Sequence, residues 1–239
     1  GVPQSTQGHV LLDRGRAVME ALFPGLFQEI RDAGSVMVNM GEDLLWFHHG
    51  HWRVRGDNRW GFVSQSRPFL EWHVLRRLAQ LDNVAIRHDE AVDAPILEDG
   101  RVVGVQLRSG EAIRADLTID ALGRASKARK WLGAWGLGEV PEHQVGIGLG
   151  YATRIVRPVP GARDWRCMIV YPDPPGQRRL GYIFPIEGGR WQVTLAGYHG
   201  DHPPTDDAGF AAFARSLPVP EFAAALEGAE VLAPTTRFL

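Results

Sequence analysis

The stretch Asp116 to Leu132, DLTIDALGRASKARKWL, decides how the chain is read. Leu117, Ile119, Ala121 and Leu122 leave no polar face of any length, so the run predicts a buried strand. Gly123 follows, where the backbone can turn sharply or approach a ligand closely. A basic, helix-prone segment then runs to Leu132. In α/β proteins ligands bind beyond the carboxyl ends of strands, so this turn is a candidate ligand site.

Upstream, Ala91–Leu97 and Val102–Arg108 read as strands joined through Asp99-Gly100, and Glu111–Arg114 adds a third. Val84–His88 predicts a further short strand. Before it, Ser66-Arg67-Pro68 opens the clearest helix, with Leu70, Val74, Leu78 and Leu81 as its apolar stripe. Shorter helices are expected around Val10–Leu22 and Leu26–Ala33, after a loop over Gly1–Gly8. Leu44–His48 and Trp52–Arg55 predict a hairpin across His49-Gly50-His51. Downstream, Val145–Val156, Trp165–Tyr171, Leu180–Pro185 and Trp191–Gly197 read as strands, with Gly188-Gly189 turning between the last two. Thr205 is expected to cap a helix carrying Phe210, Phe213 and Leu217 inward. The glycine-rich connection Gly133–Gly138 is the candidate boundary. The expected fold class is therefore α/β to α+β. A helix-and-meander ligand domain over 1–138 joins an antiparallel-sheet domain over 139–239.

The 239 residues are 44% hydrophobic and 23% charged, an ordinary globular balance that can build a sizeable core. A net charge of −2 offers no basic field for nucleic acid. No apolar run reaches membrane-spanning length, and the N-terminal residues predict no signal peptide. The lone Cys167 makes no internal disulfide and is expected to be a buried thiol in a reducing, cytoplasmic setting. Eight tryptophans suit either core or a pocket for flat apolar ligands.

Four stretches resemble one family, the single-component FAD monooxygenases related to aromatic hydroxylases and epoxidases. GVPQSTQGHVLLDRGRAVMEALFPG is similar to the helix after their first nucleotide-binding unit. SRPFLEWHVLRRL is similar to the arginine-bearing helix beside the FAD pyrophosphate, and ADLTIDALGRASKARKWL to the strand near the adenosine. VGIGLGYATR is similar to the first strand of the substrate sheet. The resemblance implies FAD as cofactor, NAD(P)H as reductant and an apolar small-molecule substrate. It also implies a G-x-G-x-x-G loop before Gly1 and a Gly-Asp motif after Leu239. The chain is accordingly expected to be the central, truncated part of a flavoprotein and to hold FAD poorly by itself. Apolar surface left by a missing segment could pair two copies into a homodimer.

By the same resemblance Arg67 reaches FAD phosphate or ribityl oxygens, and its alternative is a solvated arginine at a helix start. Asp120, Ala121 and Gly123 pass the adenosine, or simply end a strand. Val92 contacts adenine, or is an ordinary strand residue. Tyr151 is a candidate substrate-pocket residue. Gly146-x-Gly148-x-Gly150 is not read as a phosphate loop, because a strand and not a helix follows. His48, His49 and His51 read as a polar hairpin in preference to a metal site, since neighbours on a strand point to opposite faces. No residue declares itself catalytic. A flavin-dependent reductase or halogenase of the same fold is one alternative, and a binding module that no longer holds flavin is another.

Overall fold

The computed structural model describes residues 4–57 and 59–239. Gly1–Pro3, the start of the expected N-terminal loop, and Asn58 lie outside the described residues. In chain order the elements are α1 (Asp13–Leu22), α2 (Leu26–Asp32), β1 (Val36–Asn39), β2 (Leu44–His48), β3 (His51–Trp52), β4 (Gly61–Ser64) and α3 (Arg67–Leu78). Then come β5 (Val92–Glu98), β6 (Arg101–Leu107), β7 (Ala112–Arg114) and α4 (Ala128–Ala134). The remainder holds β8 (Gly150–Arg157), β9 (Cys167–Val170), β10 (Arg179–Ile186), β11 (Arg190–Gly197), α5 (Asp207–Arg215), α6 (Pro220–Ala224), β12 (Glu230–Val231) and β13 (Thr236–Phe238). The architecture is mixed α/β, as expected. No helix among the described residues is long and apolar enough to cross a membrane.

The chain divides into two units, one of residues 1–81 with 146–239 and the other of Asp82–Val145. The expected boundary at 138/139 does not coincide with this division. The reason lies in the larger unit's sheet, ordered β12-β8-β11-β10-β9-β2-β3 with β13 also on β8. It takes β2 and β3 from the N-terminal third. β2 runs parallel to β9, so the sheet is mixed and not purely antiparallel.

Side chains alternate across a strand, and here the alternation separates two chemistries. Ala152, Val156, Met168, Ile183, Val193 and Leu195 pack beneath Phe210 and Phe213 of α5 and Phe222 of α6. Thr194 opposes both Thr153 and Tyr182 in the register, placing those three on the other face. Asp206 caps α5, its carboxylate accepting from the Gly209 N–H at 2.8 Å. Thr205, the expected cap, sits one residue too early.

The smaller unit is the three-stranded meander β5-β6-β7 followed by α4. Asp99 and Gly100 turn its first hairpin at φ of +48° and +77°, the positive pair that a tight hairpin turn demands. The expected strand over Asp116–Leu122 is absent, as is the one over Val84–His88. Leu117, Ile119 and Leu122 are exposed. A strand needs a hydrogen-bonding neighbour, and no described strand pairs with this segment. Asp120 instead folds its carboxylate onto the local backbone, accepting from the Leu122 N–H at 2.9 Å and the Ser126 hydroxyl at 2.6 Å.

Candidate functional site

The face of the large sheet turned away from α5 and α6 carries an unusual layer of hydroxyl and amide groups. Thr153 and Thr194 hydroxyls lie 2.7 Å apart. Over them runs the segment from Gln4 to Val10. Gln7 is buried; its carbonyl accepts from the Thr153 hydroxyl and its amide donates to Thr236 Oγ1 at 3.1 Å. The Gln192 amide donates to the Thr6 carbonyl at 3.0 Å. Gly8 crosses Tyr182 so closely that a Cβ there would lie 2.4 Å from the ring. Any larger residue at this position would therefore have to displace the Tyr182 ring.

Between this segment and the sheet lies a cavity of about 400 Å³, lined by Tyr151, Tyr171, Tyr182 and Tyr198 with Ile169 and Phe184. These are all four tyrosines of the chain. Burial pushes the Tyr182 phenol up to about 12, partly offset by its hydrogen bonds with Thr194 and the Gly8 backbone. Burial raises Tyr151 as well, reinforced by Tyr198. At neutral pH both phenols are uncharged O–H groups, able to donate to a polar substituent on a flat ring. Tyr151, the candidate substrate-pocket residue, is one of the residues lining this cavity. The other three were not singled out. The period-two register flags Tyr182, since it shares a face with Thr194, whereas Tyr171 and Tyr198 lie just past strand ends where no such rule applies.

His9 and Val10 also line a second cavity of about 600 Å³, together with Leu11, Gln65, Arg67 and Leu70. Arg67 is the first residue of α3. Ser66 caps the helix, its hydroxyl accepting from the Phe69 N–H at 3.3 Å. Glu187, in the β10–β11 turn, accepts from the Ser66 N–H at 2.8 Å and hydroxyl at 2.7 Å, and Arg190 donates to it at 2.8 Å. The start of α3 is thereby tied to the sheet. Arg67 Nε donates to Glu71 at 2.7 Å. The buried Gln65 carbonyl has no partner among the described residues.

The remaining expected residues belong to the smaller unit. Val92 opens β5 and is exposed. Asp120 and Ala121 lie in the irregular stretch before a short 3₁₀ turn that Gly123 begins at φ +58°. The Asp120 carboxyl is lowered by its Ser126 hydrogen bond and then by the Leu122 N–H.

Gly146 to Leu149 form no regular element and lead into β8, so a strand does follow the three glycines. The histidines differ from expectation in one respect. His49 takes φ +56°, which lets its ring stack on His48 at 3.7 Å instead of pointing away. Among the described residues no group of three or more His, Cys, Asp or Glu could hold a metal ion. Cys167 is buried, and burial pushes its thiol up to about 12.

This architecture is the fold of FAD-dependent monooxygenases and related flavin enzymes. PqsL, a probable FAD-dependent monooxygenase from Pseudomonas aeruginosa, superposes with a TM-score of 0.74 at 18% identity, over 100% of this chain and 64% of that one. The flavin-dependent brominase Bmp2 gives 0.69 at 14% identity, over 99% of this chain and 60% of its own. The family model for tryptophan halogenase matches residues 70–130. Protein Rv3254 of Mycobacterium tuberculosis is 34% identical over 244 residues, covering 96% of this chain and 51% of the relative. The chain thus spans about half the length of that relative.

Proposed function

We propose that the chain is the central part of an FAD-dependent monooxygenase, a hydroxylase or epoxidase acting on an apolar organic substrate. The observation that carries this reading is the gathering of all four tyrosines around one cavity beside the Arg67 cavity, with His9 and Val10 common to both. PqsL has also been solved with 2-aminobenzoylacetate, an aromatic small molecule of the kind a tyrosine-lined chamber suits.

The donor set fits a flavin cofactor. Arg67 offers a planar cationic fork to phosphate or ribityl oxygens. The unpartnered Gln65 carbonyl offers an acceptor to a hydroxyl in the same cavity. When bound, FAD supplies the redox and oxygen chemistry, with NAD(P)H as reductant. The chain's own residues bind, orient and shield: the tyrosines fix the substrate ring, and the Gln4–Val10 segment limits water.

The halogenase match over residues 70–130 favours a second reading, halogenation by the same fold. A halogenase is expected to place a lysine between flavin and substrate. The two lysines here are Lys127 and Lys130, both in the smaller unit, and neither lines the tyrosine cavity.

Titration of the purified chain with FAD, followed by flavin fluorescence and visible absorption, tests the cofactor assignment. The expected result is weak saturable binding, with Kd of roughly 10–100 µM, weakened at least tenfold in Arg67→Ala. Binding that ignores Arg67→Ala sinks the assignment. Bromide-dependent product from the reduced, aerated protein would replace the monooxygenase reading with the halogenase one.

A further inference from the structure

The opposite side of the sheet, against α5 and α6, holds a feature that the flavin reading does not use. Arg154 lies in the middle of β8, where Tyr151 and Thr153 lie on the face turned away from α5 and α6 and Arg154 faces the helices. Its side chain is only 8% exposed. Burying a guanidinium is costly unless its donors are satisfied. Nε donates to Thr235 Oγ1 at 2.9 Å. The planar group stacks over the Phe210 ring at 4.3 Å. One terminal nitrogen approaches Asp207 at 2.9 Å, yet makes no hydrogen bond with proper geometry, and the Asp207 carboxylate is 87% exposed. A solvated carboxylate compensates a buried cation weakly.

The same guanidinium lines a cavity of about 240 Å³ whose walls include Val156, Val193, Phe210, Ala214 and Leu226. Two charged side chains of opposite sign, Arg215 and Glu227, also line it, and both are exposed. A buried, under-used cation lining a largely apolar chamber is complementary to an anion that carries an apolar body.

We propose that this cavity binds a small organic carboxylate, aromatic or short-chain, with its carboxylate on Arg154 and its apolar part between β8, β11, α5 and α6. The volume lies below that of drug-sized sites and suits an acid of about ten heavy atoms. Arginine recognises carboxylates through paired N–H donors, which gives the site a preference for acids over neutral isosteres. The site is separate from the Arg67 and tyrosine cavities and does not depend on flavin binding.

The probe is 4-fluorobenzoate, followed by ¹⁹F NMR on the purified chain, with 4-fluorobenzamide and inorganic phosphate as controls. Saturable binding of the benzoate is expected, at least tenfold tighter than the benzamide and undiminished by phosphate at equal concentration. Ala211→Leu fills the chamber from the half-exposed face of α5 and should abolish binding while the fold persists by circular dichroism. Arg154→Gln should equalise acid and amide, and Tyr151→Phe, on the other face, should leave binding unchanged. No saturable binding to the folded wild type overturns the proposal. So does binding that survives Ala211→Leu, or equal affinity for acid and amide. Loss of binding on Tyr151→Phe would move the acid to the tyrosine cavity, with the same consequence.

Discussion

Tyr182 shows how one buried hydroxyl links the sheet to its covering segment. Its phenol is held up at about 12 by burial, while the unfolded chain titrates it near its ordinary value of 10.0. Between those two values the folded state keeps a proton that the unfolded state has lost. Stability is therefore complete below pH 10 and falls as pH rises toward 12, by about 2–3 kcal/mol for a two-unit difference. Urea unfolding at stepped pH should show this alkaline loss, and Tyr182→Phe should remove most of it. The same substitution should cost about 1 kcal/mol at neutral pH, the net value of a hydrogen bond. An unchanged alkaline limb in the variant would contradict the assignment. Gly8 is the complementary case. Gly8→Ala forces a methyl against the Tyr182 ring and should lower stability by about 1–3 kcal/mol, the usual range for overpacking, read as a lower urea midpoint at unchanged slope. Neither residue stands out in the sequence by itself. Tyr182 becomes legible only in register with Thr194, and Gly8 only once the segment around it is seen to lie on that ring.

At the scale of elements, local signals were legible and pairwise ones were not. Ser66-Arg67-Pro68 and Asp99-Gly100 declare a helix start and a hairpin because the cap and turn chemistry is complete within a few residues. Asp116–Leu122 carries an apolar pattern that suits a strand, but a strand exists only with a neighbour, and no pattern within the segment specifies one. Helix-to-helix attachments are hidden for the same reason. Glu29 of α2 reaches three residues of α3: His73 at 2.5 Å, Arg76 at 2.6 Å and Arg77 at 2.7 Å. The His73 hydrogen bond, followed by those of the arginines against some desolvation, lowers its carboxyl from 4.5 to about 2. A depressed carboxyl stabilises the fold above its unfolded value, and that contribution is lost as pH falls from 4.5 toward 2. Glu29→Gln should therefore cost about 1–2 kcal/mol at pH 7, allowing for partial solvent screening of the network. It should also flatten the acid limb of the stability profile, measured by thermal unfolding from pH 7 to pH 2. A full acid limb in the variant would assign the effect to other carboxylates.

For the whole molecule, the decisive fact is that one sheet is assembled from two distant parts of the chain. β2 pairs with β9 over four residues, Leu44 with Cys167 through Phe47 with Val170. The Ser64 hydroxyl donates to the Pro185 carbonyl at 2.6 Å, and Ser66 is tied to Glu187. Residues 1–81 and 146–239 are thereby one folded body, whereas Asp82–Val145 forms another. Few contacts cross such junctions, so they are the places where a chain opens to proteases. Brief digestion with a low-specificity protease should cut first near Leu81-Asp82 and Val145-Gly146. The two large fragments should then co-elute on native gel filtration, because separating them breaks the β2–β9 ladder and exposes Leu44 and Cys167, both buried. Mass spectrometry identifies the cuts, and reversed-phase separation under denaturing conditions shows that the fragments are distinct chains. Fragments that part under native conditions would mean that β2 does not belong to the sheet. A first cut confined to Gly133–Gly138 would instead support the boundary expected from glycine content alone. The two outcomes differ because glycine content reports how freely a segment bends, whereas the strand pairing determines which segments must stay together.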